Sequence, residues 1–467
     1  MRLAVTLAKT SVSIFVFVLT VSAQQKEAGN VEARLLLRQA SALIPQIEKV
    51  QQSSALANIA GRQVAAGDVE GAMATYRANA KSDNGAAVMV IAGLLASHGN
   101  LPLALDLASG ADAKFQPNAY SFISTQLAMK KQFEDALAAA HMIQGQGTAH
   151  VLVNALMLIN TEQLGAGDHP GAHNTLDEAL DTIEQEEERA RGGSGVPNVS
   201  DTPTIGYMYR NVAERLIYAG DREDALAAVE RLYAFANTVE DPAQKQQVLS
   251  SLASAQAVVG QLDTALDTAR QLPPGSLRDF AMESISLQKA NQGDAAGALQ
   301  QAALVEGGFL RNGSLRGVAD NLAGAGDYQQ ALAAIDLIQE PGERAYGLSE
   351  LALEQAQKSD PKASLTVQLA SEAAYNAGDE AKPFVFEQIA VARGLLKDFA
   401  AAEELISRLQ DSDKVWPLWN LTEYLVGDGR TEEAISLAES QSAPYPKAYA
   451  LLGTATALID NLHVQRP

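Results

Sequence analysis

Apolar residues recur along this chain at spacings of three and four, most plainly between Asn312 and Ile338. Leu315, Val318, Ala319 and Leu322 fall at i, i+3, i+4 and i+7, which is one apolar stripe on a helix. Gly324 and Gly326 end that stripe, because glycine accepts the left-handed backbone past a helix C-terminus. Asp327 then stands where a carboxylate accepts from the free N–H groups opening the next helix. Ala331, Ile335 and Ile338 form a second stripe. The pattern predicts two helices folded back on each other, with the small Ala331 letting them approach.

The same unit returns along the chain. Gly-Asp, three residues, then Ala-Leu starts at Gly220, Gly293 and Gly326, with near matches at Gly67, Gly99, Lys131, Gly167, Gly260, Lys358, Lys397 and Gly429. Most steps between starts are 32 or 33 residues. Self-similarity at that period predicts an all-α solenoid, here of about eleven helical hairpins. Proline opens several first helices, at Pro117, Pro242, Pro341 and Pro383. It suits the first turn, where its missing N–H has no partner to lose.

The register resembles the tetratricopeptide repeat. In the copy from Asn312, the family's large, apolar, small and large positions of the first helix are Leu315, Val318, Ala319 and Leu322; Gly326, Asp327, Tyr328 and Ala331 follow in their places. The resemblance covers about residues 53–441. Tryptophan is missing from the family's first large position in every copy, and Ala mostly replaces its small Gly. A HEAT-like solenoid is the alternative. The resemblance implies a right-handed α-α superhelix whose first helices line a concave groove that binds a peptide or partner protein.

The ends and one interruption divide the chain. Residues 1–23 combine a basic start (Arg2, Lys9), a short apolar run and Val21-Ser22-Ala23, which reads as a signal peptide cleaved near Ala23. The expectation is an exported chain, periplasmic or secreted. Residues 24–52 and 447–467 read as capping helices, since an inner repeat would leave a sticky face at each end. The array splits into 53–184 and 205–446 around an acidic, Gly-rich stretch at 185–204, expected as a loop or hinge.

Composition narrows the chemistry. With no cysteine, disulfides, Cys-held zinc and thiol catalysis are excluded. The formal charge of −21 becomes −23 once Arg2 and Lys9 are removed with the leader. That sign disfavours nucleic acid and suits a basic partner. No GxSxG, P-loop or HExxH motif is present, and no enzymatic activity and no cofactor are expected. His169 and His173, four apart, form a weak metal candidate, set against their positions in the packing register.

The resembled family contacts ligands through positions 2, 5, 9 and 12 of the first helix. Here position 2 gives Tyr207, Gln247, Phe280, Gly313, Tyr346, Phe384 and Trp416, five of seven aromatic. Positions 5 and 9 add Arg210, Glu283, Arg316, Asp320, Glu387 and Trp419. Aromatics supply large rigid contact area, so the aromatic and charged residues among these are the expected partner-binding groove. The competing readings are an envelope enzyme, such as a glycan-acting hydrolase, and a purely structural spacer.

Overall fold

A computed structural model describes residues 29–83, 85–145, 147–192, 201–305, 307–378 and 383–464. The expected signal peptide, residues 1–23, lies outside them. Among the described residues there is no strand, and the helices follow in chain order. Helix α1 spans 29–43 and leads through a short turn, Ile44–Gln46, into α2 (Lys49–Ala65) and α3 (Val69–Asn79). Next come α4 (Ala86–Ser97), α5 (Leu101–Ser109), α6 (Gln116–Met129), α7 (Phe133–Ala140), α8 (Ala149–Ala166) and α9 (His169–Gly192). The middle holds α10 (Asp201–Tyr218), α11 (Arg222–Thr238), α12 (Pro242–Val258), α13 (Leu262–Arg270), α14 (Ser276–Asn291) and α15 (Ala295–Ala302). Then follow α16 (Gly308–Gly324), α17 (Tyr328–Asp336), α18 (Pro341–Gln357), α19 (Ala363–Ala377), α20 (Pro383–Leu395) and α21 (Phe399–Ser407). The last are α22 (Val415–Gly427), α23 (Thr431–Ser440) and α24 (Pro444–Val464). Helices α2 to α23 pair as eleven hairpins of the tetratricopeptide-like kind.

The Gly-Asp turn works as its chemistry requires. Gly67, Gly220, Gly293 and Gly326 sit at φ of 71°, 86°, 80° and 85°. The following aspartates cap the next helix: Asp68, Asp221, Asp294 and Asp327 accept from the N–H groups of Gly71, Asp224, Gly297 and Gln330. At three turns a residue with a side chain takes the left-handed position instead: Lys131, Ser359 and Lys397, at 61°, 56° and 62°. This corrects one register: the turn expected at Lys358 pivots on Ser359, one residue on.

The described residues divide into two compact units, Ala92–Ala392 and Met1–Ile91 with Arg393–Pro467. These limits differ from the two arrays expected around 185–204. The expected loop is also shorter: residues 185–192 continue α9 and 201–204 begin α10, and the remainder, 193–200, lies outside the described residues. The acidic run is part of the packing. The Tyr209 hydroxyl donates to buried Glu187 at 2.7 Å, and Arg231 Nη1 donates to Glu184 at 2.6 Å.

Within the unit 92–392, each first helix packs on its own second helix and on the first helix of the next repeat, from α6 through α18. Alanine makes that spacing possible. One stretch of core joins Ala253, Ala257, Ala265, Ala269 and Ala281 with Leu272, Met282, Ile285 and Val305. Serines stitch neighbouring first helices: Ser250 Oγ donates to the Leu277 carbonyl at 2.8 Å, and Ser286 and Ser314 share a bond of 3.0 Å.

The other unit joins the first and last repeats. Helix α24 packs on α22, α23 and α2. Asn58 Nδ2 donates to the Tyr449 hydroxyl at 2.9 Å, and Arg62 lies 3.9 Å from Asp460. The two terminal segments, expected as separate caps, therefore belong to one packed body. Helix α2 also starts at Lys49, inside the stretch assigned to the N-terminal cap, because Pro45 breaks α1 from it. Gly453 lets α24 reach α22: a Cβ there would stand 2.3 Å from the Trp419 carbonyl oxygen.

Candidate functional site

The first helices of the unit 92–392 present their open face through α10, α12, α14, α16, α18 and α20. Their register follows from the packing. Position 4 and 7 side chains such as Leu315 and Val318 are buried toward the second helix, which leaves positions 2, 5 and 9 of α10, α14 and α16 facing outward.

Three expected residues meet at one end. Tyr207 and Phe280 remain 40% and 39% exposed, too open for core residues of that size. The Arg210 guanidinium carbon lies 5.1 Å from the Tyr207 ring centre and 5.4 Å from that of Phe280. Both separations are within cation–π range. A cavity of about 690 Å³ is lined by Arg210 and Phe280 together with Glu214, Ser254, Ser284, Gln288, Asn291 and Asn321.

A second group meets further along, around Arg316. Its guanidinium carbon is 4.0 Å from the Tyr346 ring centre. Its Nε lies 3.4 Å from Glu343 Oε2, and its Nη1 lies 3.7 Å from Glu350 Oε2. Tyr346 meets Phe384 edge-on at 4.4 Å, so both rings are half-buried against each other. Phe384 is therefore less available than its position in the repeat suggested. Glu387, one turn along α20, is likewise half-buried.

Three carboxylates on this face, Glu350, Asp320 and Glu283, are harder to ionise than in water. Burial raises Glu350 to about 7, and nearby Asp320 adds to the rise, while Tyr346 and Arg316 oppose it. Burial raises Asp320 to about 6; Arg316 pulls it back and Glu354 raises it further. Asp320 keeps contact with water, yet protein surrounds it across the face, and that enclosure governs its proton affinity. Glu283 is raised by burial too, with Arg316 opposing.

Glu350 is not among the groove residues expected from the repeat register, whose position 5 in α18 is Ser349. Ser349 is fully buried and donates back to the Tyr346 carbonyl at 2.8 Å. The signal lay one residue on: Glu350 is four residues after Tyr346 and so shares its side of the helix. Ser250, the position-5 residue of α12, is buried in the helix–helix contact as well.

Trp416 and Trp419 belong to the other unit. Trp416 is 39% exposed on α22. Trp419 is taken up in packing: its Nε1 donates to Glu423 at 2.5 Å, its ring lies 5.8 Å from that of Tyr449, and Arg62 lies 6.0 Å from its centre. The histidine candidate does not assemble. His169 and His173 are exposed at the start of α9, His173 lies 3.6 Å from Asp177, and no group of three or more metal-ligating side chains gathers among the described residues. No described helix is long and apolar enough to cross a membrane.

Neither a protein-family model nor a curated protein matches the chain. Among solved structures, Ton1535 from Thermococcus onnurineus NA1 is 15% identical, over 79% of this chain and 98% of its own, with a TM-score of 0.32. The pentatricopeptide repeat protein PPR10, solved with an 18-nt psaJ RNA element, is 16% identical over 93% of this chain and 67% of its own, at 0.30. Yeast Tom70 is 13% identical over 96% of each chain, at 0.29. The repeat architecture is read from the helices themselves and not from these distant likenesses.

Proposed function

We propose that the chain is an exported, non-catalytic scaffold that docks an extended segment of a partner protein on the first-helix face of the unit 92–392. One observation carries the reading: Tyr207 and Phe280 hold large, exposed aromatic surface around a stacked arginine beside a cavity. Rings and arginine of this kind dominate protein interfaces. A spacer has no use for them. The formal charge of −21 favours a segment carrying basic side chains over nucleic acid. The expectation of export rests on residues 1–23 alone.

The test is affinity capture with the wild type and with Tyr207→Ala/Phe280→Ala, circular dichroism confirming that both fold. The proposal expects the variant to lose the partner that the wild type retains. Equal recovery of the same protein would sink the docking face.

The hydrolase reading draws on one specific observation, two raised carboxyls on one face, a pairing that acid–base catalysts use. Against it, Glu350 is engaged by Arg316 and Tyr346. A glycan-cleaving activity removed by either Asp320→Asn or Glu350→Gln would restore that reading.

A further inference from the structure

The two arginines of the docking face differ in one respect. Arg316 lies within 3.4 and 3.7 Å of Glu343 and Glu350. Arg210 makes no ion pair among the described residues; only the rings of Tyr207 and Phe280 hold it. Its Nε, like that of Arg316, is enclosed and finds no hydrogen-bond acceptor among them. A desolvated, charge-bearing donor without an acceptor is unfavourable, and two rings fix its direction in advance. Arg210 also lines the cavity of about 690 Å³, with Gln288, Asn291 and Asn321 on its walls to bond a peptide backbone.

From this we infer that the Arg210 cavity receives the carboxylate of an Asp or Glu side chain on the docked segment, a deepening that rests on the reading above. A planar carboxylate matches the guanidinium fork. Glu214 lines the same cavity without pairing with Arg210, and its charge disfavours a dianion such as a phosphate ester. The docked segment thus carries an acidic side chain where it crosses the Arg210 cavity.

Random 12-residue phage display on the full-length chain tests this, using one library of internal segments and one with free C-termini. The wild type is expected to enrich internal sequences with an Asp or Glu at one fixed position. Replacing the selected acid by its amide should weaken binding about tenfold or more, the effect of losing one charge-assisted bond. Arg210→Glu should switch the preference at that position to Lys or Arg, and the milder Arg210→Gln should erase it. The inference is overturned, with docking left standing, by enrichment without an acid preference, by an unchanged motif on both folded variants, or by enrichment confined to free C-termini. No enrichment beyond that on Tyr207→Ala/Phe280→Ala overturns the docking reading and this inference together.

Discussion

Arg316 on α16 reaches toward Glu350 on α18, 3.7 Å away, with the Tyr346 ring 4.0 Å from its guanidinium carbon. The arginine does not fully offset the cost of burying the acid, and Glu350 is raised from 4.5 to about 7. Over that window the folded chain keeps a proton that the unfolded chain has lost. The folded state binds more protons there, so this group's contribution to stability falls as pH climbs. Glu350→Gln removes the dependence. Relative to wild type, the variant should gain on the order of 1–2 kcal/mol by about pH 8 and show no gain near pH 4. Melting curves at several pH values check this; a difference that does not change with pH contradicts it.

The left-handed turns lead to a second prediction. Lys131 holds φ of 61°, where Gly220, Gly293 and Gly326 serve elsewhere. Its side chain is exposed. A Cβ in that region costs roughly 1 kcal/mol, less the extra freedom that glycine brings to the unfolded chain. Lys131→Gly should therefore stabilise by up to about 1 kcal/mol, read as a higher urea midpoint at unchanged slope. Gly326→Ala should shift the midpoint the other way.

The caps are testable in the same assay. Asp294 accepts from the Gly297 N–H at 2.9 Å, and that bond holds its carboxyl below the usual range. Asp294→Ala should lower the urea midpoint and Asp294→Asn should lower it much less, since an amide oxygen still accepts. Equal losses in the two variants would assign the cost to something other than the cap.

These turns show why so much of the fold was legible. Gly326 and Asp327 act within one turn of chain, through backbone conformation and a local hydrogen bond, and local chemistry leaves a mark in sequence. Ser359 was missed because serine in the glycine's place removes that mark. Glu350 was missed because α18 faces outward one residue later than a fixed repeat position implies. Asn58 and Tyr449 are 391 residues apart, and nothing near either one signals the bond between them. The aromatic positions were readable from spacing. Whether each ring was open, as Phe280 is, or packed, as Trp419 is, depended on neighbours contributed by other repeats.

The joined terminal repeats predict shared stability. If α2 and α24 pack as one body, ending the chain after Ser440 should strip hydrogen-exchange protection from α2 and α3 as well as removing α24. Unchanged protection in α2 would show that the contact contributes little.

The central claim is that the first-helix face of the unit 92–392 docks a partner. Site-specific photo-crosslinking in the cells that make the protein tests it most directly, with a benzophenone side chain placed singly at 207, 280 or 233. Tyr233 is the control: it is 58% exposed, but on α11, a second helix. The account predicts a discrete protein adduct from positions 207 and 280 and none from 233. Adducts of equal yield from all three, or from 233 alone, would contradict it.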